Sequence, residues 1–117
     1  MKALLLFALA VSAAGADPAV SGKWQVHQSI VGNESDMICN FTQTAGELSG
    51  SCDVRDFSVK ISGKVDNKKV SWTYKSEYNG SPLTVNYTGT LESSKITGTV
   101  SVPEYSVDGE FTATQSK

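Results

Sequence analysis

Apolar and polar residues alternate along almost the whole chain after residue 22. In the stretch 70–75, Val-Ser-Trp-Thr-Tyr-Lys, every second side chain is apolar and those between are hydroxylated or charged. A period of two places successive side chains on opposite faces of a β-strand, and no segment beyond residue 16 has the longer period of an amphipathic helix. Turn-forming clusters such as Asn79-Gly80 interrupt the alternation. The pattern predicts eight antiparallel strands joined mostly by short turns.

The predicted strands follow one another as a meander with a single apolar face. An open sheet would expose this face and two strand edges, whereas closure into a barrel buries the face and pairs the edges. We therefore predict an all-β fold, an eight-stranded antiparallel up-and-down barrel, with a two-sheet β-sandwich of the same strands as the alternative. The apolar face points inward, the reverse of an outer-membrane barrel, so we expect no membrane span.

The two cysteines, Cys39 and Cys52, frame one predicted hairpin, whose first strand begins at Met37 after a polar loop over 31–36. If Ala45-Gly46 is a two-residue turn, Cys39 lies opposite Cys52 at a non-hydrogen-bonded position, where side chains approach most closely. This spacing suits a disulfide. A metal site would need further ligands beside the pair, and the chain has a single histidine, His27. We predict a disulfide and no metal site.

The first 16 residues have the pattern of a secretory signal. Lys2 precedes an apolar run that ends in Ala14-Gly15-Ala16, which has the small-residue pattern of a cleavage site. The run is shorter than the roughly 20 residues that a membrane-spanning helix needs. We predict a cleaved signal peptide over 1–16, a single β-barrel domain over 17–117, and a secreted or periplasmic location in which the disulfide can form.

The charge and the outer face limit the possible partners. The chain has 10 basic and 12 acidic residues, a net charge of −2, whereas a nucleic-acid partner would require a basic patch. The outward positions of the predicted strands form no apolar stripe for a large interface, so we expect a monomer. Asn33, Asn40 and Asn86 begin Asn-x-Ser/Thr triplets, which would carry sugars in a eukaryotic secretory pathway.

The first predicted strand opens with Ser21-Gly22-Lys23-Trp24. A Gly-x-Trp motif at this place resembles that of the calycin barrels, which include lipocalins, fatty-acid-binding proteins and avidins. Together with the hairpin at 46–50 it looks most like the start of an avidin-type meander. The resemblance implies a barrel whose base is closed by Trp24. The ligand-contacting residues of the avidin type do not carry over to this chain.

Few residues offer catalytic chemistry. His27 falls on the polar face of the first strand, and the carboxylates fall on the outer face or in turns, where burial would not tune them for acid–base catalysis. Serines and threonines are plentiful, but no base is placed beside them. We expect no enzymatic activity and no cofactor.

The interior offers a binding site instead. Eight aromatic residues are predicted to point inward: Trp24, Phe41, Phe57, Trp72, Tyr74, Tyr78, Tyr87 and Phe111. Polar groups among them either satisfy one another in a filled core or line a cavity. We predict a small apolar or aromatic ligand in the barrel interior, bound by Gln28, Trp72, Tyr74, Tyr78 and Tyr87. The predicted mouth lies opposite Trp24 and is rimmed by Ile30, Met37, Tyr78, Leu83, Val102 and Tyr105. The alternative is a filled barrel that acts as a non-enzymatic surface or protein-interaction module.

Overall fold

The protein is described by a computed structural model, which covers residues 20–54 and 57–116, without the side chain of Tyr78. The predicted signal peptide over 1–16 lies outside the described residues. Eight strands follow one another along the chain: β1 (Gly22–Ile30), β2 (Asn33–Thr44), β3 (Glu47–Val54), β4 (Phe57–Asp66), β5 (Lys69–Tyr78), β6 (Ser81–Glu92), β7 (Lys95–Val102) and β8 (Val107–Gln115). A 3-10 turn, Pro103–Tyr105, precedes β8.

The strands form a closed antiparallel barrel in chain order, and β1 pairs with β8 to close it. This confirms the predicted eight-stranded up-and-down barrel, and the two-sheet sandwich is wrong. Closure into a barrel is favoured over the sandwich because it buries the apolar face and pairs the two terminal strands with each other. The architecture is consistent with a calycin-like fold. Among the described residues, no helix is long and apolar enough to cross a membrane.

The hairpin registers follow the predicted pairing. Cys39 lies opposite Cys52 and the two form a disulfide, as predicted. Trp72 lies between Tyr87 on β6 and Gly63 on β4. A Cβ atom at Gly63 would overlap the Ser71 carbonyl and lie 2.7 Å from the Cα of Trp72. Only glycine therefore allows β4 and β5 to approach this closely.

The prediction of a polar loop over 31–36 is wrong. β2 begins at Asn33, and only Val31 and Gly32 connect it to β1. Both turn residues have positive φ angles, 51° and 80°, as a tight hairpin turn requires. The segment that was expected to be a loop pairs with the end of β1, which places Asp36 opposite His27.

One end of the barrel, which we call the closed end, is sealed by the segment before β1. Val20 and Trp24 are fully buried there, and the indole Nε1 of Trp24 donates to the Val20 carbonyl at 2.9 Å. The side chain of Gln43 accepts a hydrogen bond from the Val20 N–H at 3.1 Å. These contacts place Trp24 at a closed base, as the resemblance implied, and they use the polar group of Gln43 to hold the sealing segment.

The opposite end, the open end, is less tightly built. The pairing of β4 with β5 stops at Ile61–Tyr74, although both strands continue towards this end. The prediction that Phe57 lies in the interior is wrong, because Phe57 is 57% exposed. Its place in the alternation is that of an inward residue, but at this point β5 no longer pairs with β4 to cover it.

Candidate ligand-binding site

Aromatic rings pack tightly around Trp72 in the middle of the barrel. The Trp72 ring stacks on Tyr87 with 4.8 Å between centroids and an interplanar angle of 13°. Phe41 and Phe111 lie 4.9 Å and 5.3 Å from it in tilted and edge-on orientations. These are the separations of directly packed aromatic pairs. The rings hold one another in place, and Trp72 is 1% exposed.

A short polar chain leads from this stack towards the open end. The Tyr87 hydroxyl donates to Oε1 of Gln28, and Tyr74 lies beside Tyr87 with 6.3 Å between ring centroids. Tyr87 is 1% exposed, Tyr74 is 9% exposed, and Gln28 is half-buried. The exposure of the three side chains therefore increases from Tyr87 in the core, through Tyr74, to Gln28.

Burial controls the ionisation of both phenols. It raises the pKa of Tyr87 above its ordinary value, and the neighbouring Tyr74 adds to this rise. Burial also raises the pKa of Tyr74, and a hydrogen bond with Tyr87 partly opposes it. Both hydroxyls are therefore neutral at physiological pH, when each can donate one hydrogen bond and accept others.

The two tryptophans differ in how their indole N–H groups are used. Nε1 of Trp24 is paired with the Val20 carbonyl, whereas Nε1 of Trp72 is buried and has no hydrogen-bond partner among the described residues. An unpaired buried donor costs about 1–3 kcal/mol relative to a satisfied one. Trp72 thus keeps an unused donor within the aromatic cluster.

The structure brings four of the five predicted ligand residues together. Gln28, Trp72, Tyr74 and Tyr87 form one connected group by the contacts above. The side chain of Tyr78, the fifth, is not described, and its backbone pairs with Ser81. Of the predicted rim, Ile30, Leu83 and Tyr105 reach the surface, whereas Met37 and Val102 are buried.

A polar group on the outer wall was not recognised in the sequence. His27 lies on the polar face of β1, as predicted, but Nδ1 is 2.7 Å from Asp36 and Nε2 is 2.8 Å from Glu34. These hydrogen bonds raise the pKa of His27, Asp36 contributing most. The prediction of a loop over 31–36 missed this cluster. Both carboxylates lie on strand β2, which places them beside His27 on β1.

The outer wall also carries the Asn-x-Ser/Thr triplets that begin at Asn33, Asn40 and Asn86. Asn33 and Asn40 are exposed, whereas Asn86 is half-buried and accepts a hydrogen bond from the Thr73 hydroxyl at 2.7 Å. Within the described ranges, no group of three or more histidine, cysteine or acidic residues could hold a metal ion.

Comparison with known proteins adds no relative. The chain matches no protein-family model, no curated protein and no solved structure. The candidate site is therefore argued from its own residues.

Proposed function

We propose that the barrel binds one small apolar or aromatic molecule that carries a hydrogen-bond acceptor. The ligand enters at the open end, contacts Tyr74 and Tyr87, and is oriented by Gln28 and the indole N–H of Trp72. Sites for small molecules combine apolar and aromatic walls with a few convergent polar groups, which is the composition found here.

The observation that supports this proposal most strongly is the unpaired indole N–H of Trp72. Buried polar groups nearly always have partners, and an exception calls for an explanation. An acceptor atom on a ligand would satisfy this donor and recover the associated cost. Gln28 is half-buried and Tyr74 is less buried than Tyr87, and this gradient supports entry from the open end.

The proposed role is non-enzymatic and uses no cofactor. Asp36 and Glu34 occupy both ring nitrogens of His27, so neither nitrogen is free to activate a nucleophile. We place the protein outside the cytoplasm, secreted or periplasmic and monomeric, without a nucleic-acid partner. The Cys39–Cys52 disulfide supports an oxidising compartment.

The test compares acetophenone with ethylbenzene, which share a phenyl ring with a two-carbon side chain and differ in one carbonyl oxygen acceptor. In the folded, disulfide-bonded protein, acetophenone should shift the indole N–H resonance of Trp72 and leave that of Trp24 unchanged, because Trp24 is already paired. It should also bind up to about tenfold more tightly than ethylbenzene.

Trp72→Phe is the matched variant, because it keeps a ring and removes the donor. It should reduce acetophenone affinity to that of ethylbenzene. If neither compound shifts the Trp72 resonance of the folded protein, interior binding of this class of molecule is wrong.

A second candidate function is a filled barrel that acts through its outer surface. The close packing of Phe41, Trp72, Tyr87 and Phe111 favours it, because rings at these separations occupy the middle of the barrel themselves. Under this alternative, loop or edge variants would change partner capture, and no interior probe would bind.

A further inference from the structure

The barrel wall has an opening between β4 and β5 at the open end. Residues 57–60 of β4 pair with β3, and residues 75–78 of β5 pair with β6, but these two segments do not pair with each other. Each segment is therefore a strand with one unpaired side. At the same end, residues 33–37 of β2 extend beyond their pairing with β3, and residues 81–85 of β6 extend beyond their pairing with β7.

The hydrogen-bonding parity identifies which backbone groups face this opening. Cys52 occupies a non-hydrogen-bonded pair with Cys39, so its backbone groups face β4, where it pairs with Val59. Val59 thus faces β3, and the backbone N–H and C=O groups of Ser58 and Lys60 face β5. The N–H of Val65, which like Val59 is an odd-numbered residue of β4, donates to the Gly46 carbonyl at 2.9 Å. This bond agrees with odd-numbered residues of β4 facing β3.

An unpaired strand edge is a template for another strand, which pairs through main-chain hydrogen bonds. Two features beside this edge suit a partner. Phe57 offers an exposed aromatic surface, and Lys60 is exposed on the outer face of β4. Lys75 is exposed on β5. Hydrogen bonds from Thr84 are the main cause of the lowered pKa of Glu104, and the charge of Lys75 adds to them.

The charge of the molecule is divided unevenly. Residues 57–78, which comprise β4, β5 and their turn, contain five lysines and two carboxylates. The other described residues contain two lysines and eight carboxylates. The β4–β5 wall is therefore a basic region on an acidic protein, and it attracts negatively charged partners.

From the unpaired edge and its charge we infer that this wall binds an extended, acidic polypeptide segment of a partner protein by strand addition. The segment pairs with the main chain at Ser58 and Lys60, its carboxylates contact Lys60 and Lys75, and an apolar side chain contacts Phe57. This inference does not rest on the proposed interior ligand, because it uses the main-chain edge of the β4–β5 opening and does not involve Trp72.

The test uses a short capped peptide of alternating Glu and Val, with a Lys–Val peptide as the charge control. The Glu–Val peptide should shift the amide resonances of residues 58–60 and 75–77, and added salt should weaken binding. The Lys–Val peptide should bind at least severalfold more weakly. Lys60→Gln combined with Lys75→Gln should weaken the Glu–Val complex about threefold to tenfold, and Lys95→Gln on β7 should leave it unchanged.

Proline substitutions separate the edge from its charge. Ser58→Pro removes an unpaired N–H and should lower peptide affinity about tenfold with little loss of thermal stability. Ser62→Pro has the same parity but lies in the paired part of the ladder, opposite Thr73, and should destabilise the barrel.

Three outcomes would overturn the inference. The first is peptide binding that Ser58→Pro leaves unchanged in a folded protein, which would indicate a charge contact alone. The second is the absence of any shift at residues 58–60. The third is unchanged peptide affinity together with self-association in the Lys-to-Gln protein, which would show that the lysines protect the edge from other chains.

Discussion

The two ends of the barrel differ in how completely the chain seals them. At the closed end, Val20 covers the interior and is tied to Trp24 and Gln43 by hydrogen bonds. At the open end, no described segment is held across the interior in this way, and the β4–β5 ladder ends early. Closing a sheet into a barrel therefore pairs its edges without sealing its ends, and each end needs a further segment to exclude water.

The two ends also differ in what their residues contribute: the closed end contributes mainly to stability, and the open end carries the accessible groups. At the closed end Val20 and Trp24 are fully buried, and substitutions there remove packing and hydrogen bonds together. The open end carries the half-buried Gln28 and the unpaired strand edges. Groups that remain accessible in this way are available to a ligand or partner.

The same type of substitution at the two ends should give the largest contrast. Trp24→Ala should destabilise the protein by about 3–5 kcal/mol, because it leaves a cavity and removes the hydrogen bond to Val20. Phe57→Ala should cost less than about 0.5 kcal/mol, because the ring is already largely in solvent. Chemical denaturation of both variants measures the difference, and similar losses would contradict the described asymmetry.

Removing the disulfide should have an intermediate effect. Cys39→Ala with Cys52→Ala opens a link between residues 13 apart and should lower the free energy of unfolding by about 3 kcal/mol on the chain-entropy account. The cysteine pair is next to the last pair of the β2–β3 ladder, Ile38–Asp53, on the side of the open end.

Amide exchange measured on the same double variant locates the effect. We expect exchange to increase first around Ile38 and Asp53, while the amides of Gln43 and Leu48, nearer the closed end, keep their protection. A uniform increase around the barrel would show that the disulfide acts on the whole fold instead of this end.

The smallest effect concerns pH. Hydrogen bonds with Asp36 and Glu34 raise the pKa of His27 above its ordinary value of 6.5. A raised pKa in the folded state means that the stabilisation is complete below pH 6.5 and is lost as the pH rises through the folded-state value. Because the ring is on the surface, we expect only a slight decline in the free energy of unfolding as the pH rises.

Thermal melts of the protein and of His27→Gln across this range measure the effect, and NMR titration of the imidazole gives the pKa directly. The native protein should lose its advantage over the variant as the pH rises. Parallel profiles would contradict a role of the cluster in stability.

The sequence predicts local registers well because turn and pattern specify them together. The turn Ala45-Gly46 and the alternation on both sides determine the pairing of Cys39 with Cys52. The turn at Val31-Gly32 escaped prediction, because valine seldom adopts a positive φ and the polar residues that follow resemble a loop.

Other features depend on contacts between distant segments. Alternation places Phe57 inward, but its exposure depends on where β5 separates from β4. Val20 lies outside any periodic segment, so no pattern indicates that it seals an end. Likewise, the polar groups around Trp72 were predicted to converge, whereas the missing partner of its indole N–H emerges only from atomic positions.

The pairing of β1 with β8 brings the two ends of the domain together. The N–H of Ser116 donates to the Lys23 carbonyl at 2.8 Å, so the chain leaves the barrel beside the place where it enters. A short linker could therefore join these ends while a new opening is made at a surface turn, as circular permutation requires. The position of the termini is thus a replaceable property of this barrel, and fusions can be attached at whichever rim an application needs.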